Sequence, residues 1–156
     1  MYADNTGRGT DCGFTTPGTR AIVEAMTATG VRRIVVVSAA PVSTTPSPGR
    51  PHPPRHDPGE GLLMRRLGTP LVRRLLSAHF TDLAAMEDLL RASGLDWTAV
   101  RPPQLTDHPL TGTYRVAVGH NLRGGGRVPR ADVAHYMLHT LATPATIGQA
   151  IGIAAA

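Results

Sequence analysis

The stretch LDWTAVRPPQLTDHPLTG, Leu95 to Gly112, carries the first decision about the fold. Asp96 to Val100 are mostly strand formers, and Gly94 closes a helical pattern just ahead of them. Pro102 and Pro103 have no N–H to give a sheet ladder, so the strand must stop there. Gln104 to Gly112 then reads as a polar loop leaving the C-terminal edge of that strand. In open parallel α/β sheets, ligands bind at this edge.

Upstream the pattern repeats. Gly18–Gly30 is predicted as a helix, with Ile22, Val23, Ala25 and Met26 at helical spacing and Gly30 as its stop. Ile34-Val35-Val36-Val37 follows as a continuous β-branched run, which predicts a parallel strand buried on both faces. It ends at Ser38-Ala39-Ala40-Pro41. Thr81–Ser93 is a second helix, with Leu83, Ala84, Met86, Leu89 and Leu90 on one face. Helix, strand, helix and strand in this order predict an α/β, Rossmann-like parallel sheet with flanking helices.

Between these units, residues 42–61 form a proline-rich loop, either a lid over the substrate or a disordered insert. Leu62–Ala78 pairs apolar residues with two Arg-Arg steps, and Pro70 is expected to break it into two short helices. Its basic face reads as solvated rather than as a membrane anchor. Downstream, Tyr114–Val118 and Arg127-Val128 predict a short hairpin around the Gly119–Gly126 turn. A helix is expected from Pro129-Arg130-Ala131-Asp132 to Leu141, and a final strand over Gln149–Ile153. His135 and His139 stand four apart on that helix, but no Glu lies between them as in HExxH, so no metal site is assigned.

Composition bounds the function. The 156 residues are 41% hydrophobic and 17% charged, one domain's worth of globular chain. Cys12 is the single cysteine, which excludes an internal disulfide and fits a reducing cytoplasm. No run approaches a membrane span, and MYADNTGRGT lacks the apolar core of a signal peptide. All sixteen basic residues are Arg, giving a net charge of +5. A chain free of Lys and rich in Arg, Ala, Pro and Gly reflects a GC-rich coding background better than a nucleic-acid partner.

Three blocks resemble a known family in its own order: GTRAIVEAMTATGVRRIVVVSA (Gly18–Ala39), MEDLLRASGLDWTAVRPPQLTDHPLTGTY (Met86–Tyr114) and RVPRADVAHYMLHTL (Arg127–Leu141). They resemble the atypical short-chain dehydrogenase/reductases of the NAD(P)H-binding, NmrA-like type, closest to the flavin reductase/biliverdin reductase B group. The family normally begins with a strand, a glycine-rich turn and a helix that hold the cofactor's pyrophosphate. Nothing like GxxGxxG precedes Gly18. The expectation is one partial Rossmann-like domain over residues 1–156, the C-terminal part of the doubly wound fold.

The resemblance implies a site. Gly7 and Arg8 would sit near a phosphate or ribose of NADP(H) or NAD(H), in a segment that also reads as a frayed terminus. Ser38 and Ala39 would lie beside the nicotinamide, with Pro103, Gln104 and Leu105 lining the other side; Ser38 and Gln104 are the catalytic candidates. Classical members of the wider superfamily carry a catalytic Tyr-x-x-x-Lys at the start of the helix before the double proline, a pair the flavin/biliverdin reductase group lacks. Aligned on Met86-Glu87, those positions hold His79 and Leu83. The implied activity is hydride transfer to a flavin or similar small acceptor, which needs a positioned cofactor more than an acid. The alternative is a non-catalytic dinucleotide-sensing or remnant module. The expected partners are a small-molecule substrate, no nucleic acid and no membrane. A second copy of the chain is a further expected partner, through the sheet edge that the missing strands leave bare.

Overall fold

A computed structural model describes residues 13–59 and 70–156, with the backbone alone considered for 70–76. Gly7, Arg8 and Cys12 lie outside the described residues. Among the described residues there are three α-helices and six strands: α1 (Thr15–Thr29), β1 (Arg33–Val37), α2 (Pro70–Ala92), β2 (Asp96–Arg101), β3 (Gln104–Thr106), β4 (Tyr114–Val118), β5 (Arg127–Pro129), α3 (Arg130–Leu141) and β6 (Gln149–Ala155).

The main sheet has the order β1-β2-β6-β4. β1 and β2 are parallel, with Val35 opposite Thr98, and β2 and β6 are parallel, with Val100 opposite Ile151. α1 and α2 cover one face, where Leu90, Trp97 and Ala99 pack with Val23, Ile34 and Val36. α3 covers the other, where Val133 and Tyr136 meet Val100, Ile151 and Ile153. This is the Rossmann-like α/β arrangement the sequence predicts.

Several local expectations are corrected. Tyr114–Val118 and Arg127–Val128 do not form a hairpin. β4 runs antiparallel to β6, with Val116 opposite Ile153, and β5 pairs in parallel with β3. The reason lies in β6, whose Ala150, Gly152 and Ala154 leave room for the chain after β4. A Cβ on Gly152 would sit 2.4 Å from the His120 carbonyl oxygen, and one on Gly125 would sit 2.5 Å from Ala154 Cβ. Residues 120–125 therefore lie back over β6, and β5 is delivered beyond it.

Gln104–Thr106 is likewise a strand rather than loop, because the two prolines redirect the chain toward β5. α2 is described from Pro70 onward and runs unbroken through Ala78 to Ala92, joining the end of the basic stretch to the helix expected over Thr81–Ser93, because no breaker occurs from Ser77 to Thr81. Leu62–Thr69 lies outside the described residues.

β1 is less enclosed than its run of valines predicts. It pairs only with β2 among the described residues, and Val37 is 43% exposed. The proline-rich segment is irregular but tied down as far as residue 59. Val42 is fully buried against Leu83, Ala84 and Met86, and the Gly49 N–H donates to the Asp88 carboxylate at 2.7 Å.

Candidate functional site

The C-terminal ends of β1 and β2 bring the predicted residues together. The Ser38 N–H donates to the Val100 carbonyl at 2.7 Å, and the Ala40 N–H to the Pro102 carbonyl at 2.9 Å. Ser38 and Ala39 thus run alongside the chain entering Pro103 and Gln104. The Gln104 N–H reaches the Gly126 carbonyl at 3.3 Å, tying the exit of β2 to β5. Within β3 the side chains alternate. Leu105 turns inward against the cluster of Val128 and Tyr136, while the Gln104 side chain is exposed.

Ser38 itself is 5% exposed, and its hydroxyl donates to Glu87 Oε1 at 2.7 Å. Glu87 is the centre of a network that sequence reasoning missed. Arg101 donates from Nε to Glu87 Oε1 at 2.8 Å and from Nη2 to Oε2, and Arg91 adds a 2.7 Å contact to Oε2. Glu87 is fully buried and Arg101 is 3% exposed. Burial works to raise the Glu87 pKa. The hydrogen bonds and charge of Arg101, with Ser38 and Arg91, outweigh it and hold the carboxyl below its ordinary value. The signal was available: Glu87 falls four residues after Leu83, on the apolar face of α2, and Arg101 closes a buried strand.

The position that would carry the superfamily's lysine is Leu83, 6% exposed and packed with Val42 and Met86. His79 is exposed on α2 and stacks against Phe80. No phenol–ammonium pair is built here.

On α3, Asp132 is fully buried and accepts from the Thr111 N–H at 2.8 Å, the Thr111 hydroxyl at 2.6 Å and the Gly112 N–H at 3.0 Å. It fixes the turn between β3 and β4. His135 faces the Tyr114 hydroxyl at 2.8 Å. Among the described residues, no group of His, Cys, Asp or Glu is arranged to hold a metal ion.

A dinucleotide has two ends to place. For the nicotinamide, the candidates are the half-buried Ala39 and Pro103 and the exposed Gln104 amide; the buried Thr106 hydroxyl, two residues on from Gln104, has no hydrogen-bond partner among the described residues. For the pyrophosphate, the first turn of α1 is already capped: Asp82 accepts from the Thr15 and Thr16 N–H groups at 2.9 and 3.1 Å. Neither of two surface cavities, one of about 270 Å³ by Gly30 and Gly94 and one of about 220 Å³ by Pro58 and Asn121, includes Ser38 or Gln104.

The parallel β1-β2-β6 core with helices on both faces defines a Rossmann-like fold. The chain belongs to the NAD(P)H-binding family, whose pattern matches residues 3–144. Solved structures agree on the fold. ChuY, an anaerobilin reductase of Escherichia coli O157:H7, superposes with a TM-score of 0.63 at 21% identity, over 96% of this chain and 61% of its own. A wide-type short-chain dehydrogenase/reductase of Veillonella parvula, solved with NADP, gives 0.58 at 20% identity, over 92% and 59%. A Streptococcus pneumoniae protein provisionally described as an NADH-flavin reductase gives 0.64 at 17% identity, over 100% and 70%. The chain spans about three fifths of the length of most such relatives. No helix among the described residues is long and apolar enough to cross a membrane.

Proposed function

We propose that this chain is a partial Rossmann-like unit of an NAD(P)H-dependent oxidoreductase of the flavin/biliverdin reductase type. A hydride would pass from the nicotinamide of NADPH or NADH to a flavin or similar acceptor, with solvent supplying the accompanying proton. The observation that carries the reading is the placement of Ala39, Pro103 and Gln104 along adjoining strand ends, in a chain of the NAD(P)H-binding family. The absence of a phenol–lysine pair agrees with it, because Leu83 is core. Ser38 holds its end of β1 through Glu87 and presents the backbone of 38–39 to the nicotinamide; Gln104 lies at the acceptor side. Gly7 and Arg8 remain candidates for the phosphate or ribose.

A second reading rests on the α1 cap. With Asp82 on those N–H groups, the start of α1 is closed to a pyrophosphate, which favours a non-catalytic remnant module over a dinucleotide-binding one. Titration with NADPH separates the two. Trp97 is a weaker reporter than its sequence position implies, since it pairs with Ile34 near the start of β2 and lies beneath Arg91. Six extended residues, roughly 20 Å, separate it from Pro103, so nucleotide emission is the signal to follow. Saturable micromolar binding followed by flavin-dependent NADPH oxidation supports the enzyme. Binding without oxidation supports a sensor, and no binding at millimolar nucleotide refutes the enzyme and leaves the remnant module.

The edge of β1, unpaired among the described residues and with Val37 exposed, supports self-association by strand pairing as a further proposal.

A further inference from the structure

We infer that the edge of β1 pairs with the edge of β4 in a second copy of this chain, so that copies join head to tail into one continuous sheet. The inference rests on the strand-pairing reading of β1 and names the surface that β1 meets. β1 and β4 are the two outer strands of the main sheet, and neither has a second partner among the described residues. The Arg32 carbonyl accepts from the Asp96 N–H at 2.9 Å and the Ser38 N–H reaches Val100, so the even-numbered residues of β1 face β2. Arg33, Val35 and Val37 therefore turn their N–H and C=O groups outward. On β4, one step beyond the Val118–Ile151 pair, the Gly119 N–H donates to the Ala150 carbonyl at 2.7 Å. Alternation from that bond leaves the backbone groups of Tyr114, Val116 and Val118 pointing away from β6.

The two edges match. Val35 and Arg33 lie on the α3 face of the sheet, Val35 against the cluster of Val100 and Arg33 on the Thr140 carbonyl at 2.8 Å. Tyr114 lies on the same face, edge-on to Tyr136, so by alternation Val37, Val116 and Val118 do too. An antiparallel pairing centred on Val35 and Val116 sets Val37 beside Tyr114 and Arg33 beside Val118. Each of these pairs exchanges two hydrogen bonds, and Val37, Val116 and Val118, all exposed, gain neighbours. Neither edge carries the usual deterrents. RIVVV and YRVAV contain no proline, and their arginines are drawn aside. Arg33 donates to the Asp96 and Thr140 carbonyls, and Arg115 to those of Ala155 and Arg123. Pairing β1 with β1 of another copy fits less well, because Val37 then faces that withdrawn Arg33 and no aromatic ring. Five residues a side is far short of the roughly 20–30 of a stable interface, so each link is weak and mass rises gradually with concentration. An interface between two different edges does not close on itself, and the twist of the sheet winds successive copies onward.

Complementation between two edge variants of the full chain is the test. Val37→Lys spoils the β1 edge and Val116→Lys the β4 edge; circular dichroism checks that each is folded, and Val118→Lys replaces Val116→Lys if that chain is not. Sedimentation equilibrium should show wild type growing past twice the mass of one chain as concentration rises. Each variant alone should stay a monomer at those concentrations. Their equimolar mixture should rise toward twice the monomer mass and no further, because the intact β1 edge of one can meet only the intact β4 edge of the other. Val116→Lys that still associates alone would overturn the inference and leave β1 pairing with β1. Val37→Lys that still associates would overturn it in favour of β4 with β4, and a mixture that stays monomeric while wild type grows would overturn it as well. Wild type that is monomeric at every concentration would refute the strand-pairing reading itself, and this inference with it.

Discussion

Glu87→Gln is the sharpest probe of how this fold holds its strand ends. The change keeps the side chain's shape and removes only its charge. Arg101 then remains 3% exposed with no anion against it, and Arg91 loses its closer partner. Arg50 stands near the same cluster; burial lowers its pKa, and the charges of Arg101 and Arg91 lower it further. Three guanidiniums would then share Asp88 alone. Breaking a buried pair from one side costs about 3–5 kcal/mol, which at about 2–4 °C per kcal/mol for a chain of this size lowers Tm by roughly 6–20 °C. Urea unfolding followed by circular dichroism and Trp97 emission measures it. The double variant Glu87→Leu with Arg101→Met removes both charges, and should recover most of the loss, because an apolar pair avoids desolvation altogether. A single variant costing less than about 1 kcal/mol, the range of an exposed pair, would refute the account. So would a double variant as unstable as the single one, since the deficit would then come from lost packing and not from a stranded cation.

Other outcomes follow from the same contacts. Glu87, Asp132 and Asp82 all have folded pKa values below their ordinary ones. A depressed carboxylate contributes its full stability above the unfolded pKa and loses it as pH falls through the folded value, so urea midpoints should be flat above pH ~5 and drop below about 4. Gly152→Ala places a Cβ against the His120 carbonyl and should cost roughly 1–3 kcal/mol, read in the same unfolding assay. Val37→Lys puts a charge on the open side of β1; light scattering should show wild type growing in mass with concentration and the variant remaining a monomer. Wild type that is monomeric throughout would reject self-association.

The sequence made the α/β alternation legible because its signals are local. The valine run, the double proline and Gly30 each act on their own few residues, and α1, β1 and β2 appear where those signals put them. Gly30 does adopt the left-handed conformation, with φ of 73°, that a helix stop requires. The strand partners of β4 and β5 were not legible in this way. Their flanking turn residues read as a hairpin, and the competing information sat some thirty residues later in the small side chains of β6.

The candidate site divides along the same line. Ser38, Ala39, Pro103 and Gln104 were found through resemblance, and the fold places them side by side. What the resemblance did not supply is the charge arrangement around them. Ser38 looks like a hydroxyl free for chemistry until its O–H is seen to donate to Glu87, forty-nine residues away in sequence. Gln104 looks like a poor substitute for an acid until Arg127 fixes its amide. In both cases the partner comes from another element, and the pairing changes the residue's role. A hydroxyl donating to a buried carboxylate positions backbone, and an amide held by a guanidinium becomes a directed donor. The two strand ends of the candidate site are thus each tied by a hydrogen bond to another element, Ser38 to α2 and Gln104 to β5.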